Sequence, residues 1–246
     1  MNTTTEESPL IQARIAGLLY LIVIIGGIFA ELYVRGQLVV SGDAAATARN
    51  ILQHETLYRA GFATELFYLA CNVPLTLIFY NLFKIVSKRL SLMVVFYSLV
   101  GTAIEGASLL AHYVPLALLR PSRTLSGFTT EQLQSAAYTS LRIFESGFAI
   151  ALVFFGCFCL TLAVLIFRST FFPKFIGALL VIEGLCYLLT SFARFLAPAL
   201  AARLFPFLLA SAIAEISLCL WLLVMGVNRE RWTAQASAAA LHGVAV

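Results

Sequence analysis

Residues 174–198 read KFIGALLVIEGLCYLLTSFARFLAP. The stretch is apolar and longer than the roughly 20 residues that a helix needs to cross a bilayer. Two full charges nevertheless lie inside it, Glu183 and Arg194. With Tyr187 and Thr190 they fall at i, i+4, i+7 and i+11, so the four share one helical face. A charge at the centre of a membrane helix costs about 2.5–3.5 kcal/mol even on the most lenient scale. The stripe therefore belongs against protein or water, and the rest of the helix against lipid.

Five more segments of this kind surround it, at about residues 13–33, 57–83, 90–119, 137–167 and 204–227. The whole chain of 246 residues is 61% hydrophobic and 11% charged, with a mean hydropathy of +0.94. A soluble domain carries about a quarter of its residues as charges. We therefore expect an all-α, polytopic integral membrane protein with six transmembrane helices. Residues 1–246 read as a single domain, with polar tails at 1–12 and 229–246. The acidic start MNTTTEESPLIQAR lacks the basic first region of a signal peptide, so no cleavage is expected.

Two longer loops separate the segments, at about residues 34–57 and 120–137, and each is expected to hold a short helix. In the first, Ser41 or Asp43 is a candidate N-cap for a short helix in the run DAAATARNILQH, residues 43–54. In the second, Thr129 and Gln132 form a capping box, from which a helix should run on into the fourth segment. Pro74 should bend or locally break the second segment. Residues beyond 228 read as a small, polar tail without regular structure.

Lysines and arginines set the expected orientation. Arg14, Lys84, Lys88, Arg89, Arg168, Lys174, Arg229 and Arg231 flank short links on one side. The other side carries Arg35, Arg49, Arg59, Arg120, Arg123 and Arg203 in longer loops. Short basic links mark the cytoplasmic side. We expect a cell (inner) membrane protein with both termini cytoplasmic, and the bilayer as its partner. The net charge of +4 is then a topology signal and no nucleic-acid footprint. All five cysteines lie in apolar segments, which argues against a disulfide framework.

Each segment bears its own glutamate: Glu31, Glu65, Glu105, Glu145, Glu183 and Glu215. Counting about 1.5 Å per residue from the basic ends places Glu183 near mid-depth and most of the others in the outer half. Polar companions share their faces, among them Tyr68 with Glu65, Ser108 and His112 with Glu105, and Ser211 with Glu215. Short matches, Gly61-Phe62-Ala63 with Gly147-Phe148-Ala149 and Ile104-Glu105-Gly106 with Ile182-Glu183-Gly184, suggest a parallel internal repeat. These residues predict an outward-open polar cavity lined by carboxylates and closed by Arg142 and Arg194. The candidate ligand or proton-pathway residues are Glu65, Glu105, His112, Arg142, Glu145, Glu183, Arg194 and Glu215. Burial in low dielectric disfavours a charged carboxylate, which suits proton coupling. The alternative is structural: Arg142 with Glu145, and Arg194 with Glu183 or Glu215, as ion pairs that tie helices together.

Other chemistries find little support. His112 is alone among the membrane segments and no HExxH is present, so no metal and no haem is expected. Every lysine sits at a helix end, which removes a mid-membrane Schiff base. No GxSxG occurs, and Asp43 is the single aspartate, so serine-elbow and paired-aspartate hydrolases are excluded. No cofactor is expected.

Several stretches carry a likeness: ARIAGLLYLI from Ala13, SGDAAATA from Ser41, Phe154-Phe155-Gly156, Ile166-Phe167-Arg168-Ser169, Pro173-Lys174-Phe175-Ile176-Gly177, and AEISLCLWLLV from Ala214. Through these, the chain resembles the bacterial membrane proteins of the domain-of-unknown-function family numbered 4386, over nearly its whole length. The resemblance implies a compact helical integral membrane protein without an established activity. Members of that family often carry a histidine after the Phe-Phe-Gly run, where Cys157-Phe158-Cys159 stands here; the departure weakens histidine-based chemistry. The leading functional expectation is binding or transport of a small polar or cationic solute, more in keeping with a non-enzyme. A membrane enzyme acting on lipid or isoprenoid through Glu105 and His112, and a non-catalytic scaffold or assembly partner, are the alternatives.

Overall fold

The computed structural model of the chain describes residues 8–120 and 125–241. Arg123, the acidic residues of the N-terminal start and the last five residues, on which expectations also fell, lie outside them. Among the described residues the chain is helical, with no strand. The elements are α1 (Pro9–Ile28), which continues through a π-helical stretch (Phe29–Arg35) into α2 (Gly36–Leu38), then α3 (Ala44–Gln53), α4 (Glu55–Phe83), α5 (Lys88–Leu118), α6 (Thr130–Arg168), α7 (Lys174–Leu196), α8 (Pro198–Leu220), a second π-helical stretch (Trp221–Met225) and α9 (Arg229–Leu241).

Among the described residues, five helices are long and apolar enough to cross a membrane: Pro9–Leu38, Glu55–Phe83, Lys88–Leu118, Thr130–Arg168 and Lys174–Leu196. A sixth is reached by counting the bent pair Ser211–Met225 and Arg229–Leu241, whose arms meet at 97°. The outer faces of these helices show large apolar side chains to the surroundings, among them Leu18, Ile25, Phe67, Phe96, Leu110, Leu189 and Ile213. Such apolar cover suits contact with lipid. The chain is a multi-pass helical membrane protein.

Local chemistry explains where the helices begin. Asp43 caps α3, its Oδ1 accepting from the Ala46 amide at 2.8 Å. Thr129 and Gln132 form the expected capping box, with bonds of 2.9 and 3.3 Å, and it opens α6 itself. The second loop therefore adds two turns to one 39-residue helix. Lys174 donates to the carbonyls of Ile166 and Phe167 at 3.0 and 2.6 Å, and its charge suits the carbonyl end of α6.

Of the bend or local break expected at Pro74, the break does not occur, since α4 runs through it, with Thr76 bonded both to the Asn72 carbonyl at 2.8 Å and to Ser98 at 2.6 Å. The polar segment after Asn228 is no loose tail, since its described part forms α9. Gly226, at φ 63°, turns the chain there. Trp232 then donates to the Leu82 carbonyl at 3.0 Å, and Gln235 holds the Thr170 amide at 2.9 Å. Side-chain bonds to the ends of α4 and α6 thus order a segment that its own composition does not.

The chain divides into two compact units. One comprises Met1–Ile22, Cys71–Gly101 and Leu152–Val246. In it, α6 and α7 approach so closely at Gly156 and Gly184 that a Cβ on either would stand 2.9 or 2.8 Å from the other's carbonyl oxygen. Small residues at such a crossing allow close backbone packing where no hydrophobic effect drives helices together. The other unit comprises Val23–Ala70 and Thr102–Ala151. Its core holds Val34, Leu38, Ile51, Tyr58, Leu116 and Leu141, and a second cluster of Tyr68, Leu69, Leu109 and Phe144.

Gly184→Leu should destabilise the detergent-solubilised protein by about 1–3 kcal/mol in thermal unfolding, through overpacking. Gly27→Ala, where an added Cβ meets nothing within 4 Å, should leave the protein unchanged or raise its stability by about 0.5–1 kcal/mol.

Candidate functional site

The unit built from Val23–Ala70 and Thr102–Ala151 gathers charge around Glu65, which is 0% exposed. Both of its carboxylate oxygens are used. Oε1 accepts from Arg35 Nη1, and Oε2 meets His112 Nδ1 at 2.6 Å. Arg35 also holds Glu31, one turn earlier, through Nε to Oε2 at 3.0 Å and a second contact from Nη2. Its guanidinium carbon lies 4.5 Å from the centre of the Phe144 ring, a cation–π distance. The result is a chain of alternating charge, from half-exposed Glu31 through buried Arg35 and Glu65 to His112.

Sequence spacing alone puts Arg35 in the first loop, and the structure corrects this. The π-helical stretch carries the first span past Tyr33 and delivers Arg35 into the core, 8% exposed. Its spacing of four from Glu31 is the available signal. A guanidinium is always charged and binds carboxylates with a planar fork, so it suits a buried pair better than lysine would.

His112, 1% exposed, is clamped on several sides. The Tyr58 hydroxyl donates to its backbone carbonyl at 2.5 Å. The rings of Tyr58, Phe144 and Phe62 stand 4.8, 5.0 and 6.0 Å from the imidazole. Its Nε2 is buried without a hydrogen-bond partner. Glu105 shares the His112 face of α5 as its spacing predicts, but its oxygen takes the Tyr68 hydroxyl at 2.5 Å. The carboxylate that meets the histidine is thus Glu65 of α4, where the sequence points to Glu105.

The unit containing α7 and α8 holds the second group. Glu183, 1% exposed, lies on α7 one turn from Tyr187, beside Glu215 of α8 and Cys159 of α6. The Tyr187 hydroxyl donates to Glu215 Oε1 at 2.5 Å. Glu183 Oε2 is buried and has no hydrogen-bond partner. Leaving a buried acceptor unmatched costs about 1–3 kcal/mol, and more where it carries charge. Farther along α7, Ser191 Oγ is also buried and unmatched.

The remaining predicted residues sit elsewhere. Arg142 and Glu145 pair at 2.6 Å on their own helix, with side chains 55% and 32% exposed. Their pairing suits the structural alternative. Arg194 is half-buried in the last turn of α7, where a positive charge complements the carbonyl end. Among the described residues no three His, Cys, Asp or Glu side chains converge to hold a metal ion. The five cysteines are all free thiols.

A fold of long apolar helices with paired charges inside defines the class: a polytopic α-helical membrane protein. The family model described as Domain of unknown function (DUF4386) matches residues 15–226, and the chain belongs to that family. No curated protein and no solved structure is a match for it.

Arg35→Met should cost about 3–5 kcal/mol of stability, because it strands Glu65 as an uncompensated buried charge. The double change Arg35→Met with Glu65→Met should recover most of that loss. Equilibrium unfolding in mixed micelles measures both, and a double variant no more stable than the single one would contradict the pairing.

Proposed function

We propose that this membrane protein binds a small polar or cationic solute among its helices and moves it together with protons. The observation that carries this reading is a pair of carboxyls from two helices, Glu215 bonded to the Tyr187 hydroxyl and Glu183 beside it with one carboxylate oxygen left unmatched. Carboxyls inside membrane helices are costly to keep and mark ion and proton pathways by default. The group around Glu65 carries its own guanidinium, so it is less suited to attract a cation from outside. In this reading the protein lies in the cell (inner) membrane with the short basic links on the cytoplasmic side. The perpendicular set of α9 and its bonds to the ends of α4 and α6 support a helix lying along that face.

A second reading rests on His112. A carboxylate on Nδ1 fixes the ring and its tautomer, so Nε2 is the atom left to exchange a proton with a substrate. Glu65 and His112 form such a dyad in an aromatic surround, which suits an acid–base enzyme acting on a lipid or isoprenoid.

Thermal stabilisation of the purified protein by a panel of amines, amino acids, sugars and salts separates these readings. The solute reading expects a stabilising compound whose effect disappears in Glu183→Gln or Glu215→Gln and survives in His112→Gln. Loss of response in His112→Gln alone would favour the enzyme. If none of these variants alters any response, the solute site is wrongly placed.

A further inference from the structure

We infer that Glu183 and Glu215 together hold one exchangeable positive charge, a proton that a small monovalent cation such as Na⁺ displaces. The inference rests on the solute reading above and names the occupant of that site. α7 sets Glu183 and Tyr187 four residues apart on one face, and α8 brings Glu215 to the Tyr187 hydroxyl, beside Glu183. Among the described residues, the titratable groups near the pair include Tyr20 from α1, Cys159 from α6, Cys186 and Tyr187 from α7, and Cys219 from α8. Phenols and thiols supply no positive charge. Glu183 is buried and Glu215 half-buried beside it. Two carboxylates so close repel each other and have lost much of their hydration, so a counter-charge favours the pair.

Tyr187 donates its single proton to Glu215 Oε1. Glu183 Oε2, buried and without a donor, is the atom to which the remaining positive charge binds. Carboxyl and phenol oxygens are hard ligands, which prefer a proton or an alkali cation to a soft metal. Among the described residues no three His, Cys, Asp or Glu side chains are placed to share a metal ion, so a multidentate transition-metal site is not what the geometry offers.

The test uses the full chain in lipid nanodiscs and the hydrophobic reagent dicyclohexylcarbodiimide, which reacts with protonated carboxyls inside membranes. Mass spectrometry locates the adduct. At neutral pH with choline chloride as the salt, Glu183 or Glu215 should be modified, and modification should slow as the pH rises. Replacing choline by Na⁺, K⁺ or ammonium at ten times its dissociation constant should slow it about tenfold, since only the unoccupied fraction reacts. The cation that protects identifies the occupant. Glu183→Gln and Glu215→Gln should each leave one reactive carboxyl that no cation protects, while Tyr187→Phe should keep modification and weaken protection.

Two outcomes overturn the inference: no adduct at either glutamate, or an adduct whose formation no small cation slows. The failure is separable from that of the solute reading, because a solute response lost in Glu183→Gln would stand without any cation protection. A protected adduct without any solute response would leave the site and remove the solute.

Discussion

The structure depends on one constraint: a charge inside a membrane helix must find its opposite, or a proton, before it can be buried. Arg35 shows how far the chain goes to meet it. One guanidinium binds Glu31 and Glu65 and lies over the face of Phe144, and Glu65 in turn fixes His112. Elements far apart in sequence meet at this one knot. Their apolar faces alone would not choose a register, since lipid tails solvate leucine as well as another helix does. A buried network satisfied at nearly every atom does choose one.

The π-helical stretch Phe29–Arg35 is part of the same solution. A π turn widens the helix and rotates the residues after it, and such turns concentrate where a side chain has a task. Here it sets Glu31 where Arg35 can bind it and Arg35 where it also reaches Glu65. The second π-helical stretch, Trp221–Met225, ends at Gly226, where a positive φ turns the chain into α9.

The α7–α8 group meets the constraint differently. A tyrosine hydroxyl binds one of its carboxyls, the other lies beside it, and one acceptor oxygen stays unmatched. A knot closed by arginine is suited to holding helices; a carboxyl pair with an open acceptor is suited to taking up and releasing a charge. The two groups share glutamate as their main residue and differ in the partner supplied, and the partner decides what each can do.

Much of this was legible in the sequence. Long apolar runs, caps such as Asp43 and the Thr129–Gln132 box, and one glutamate per segment follow from local composition and periodicity, because helix formation and membrane insertion are governed residue by residue. The polar faces 105–112 and 183–187 were legible for the same reason. The partners were not. That Arg35 leaves its loop for the core, that Glu65 rather than Glu105 meets His112, that Arg142 stays outside with Glu145, and that residues 229–241 fold against the ends of α4 and α6 all depend on which helices touch and at what depth. Helical periodicity determines a side chain's direction around its own axis, whereas the identity of its neighbour is a property of packing, and only the tertiary structure decides that.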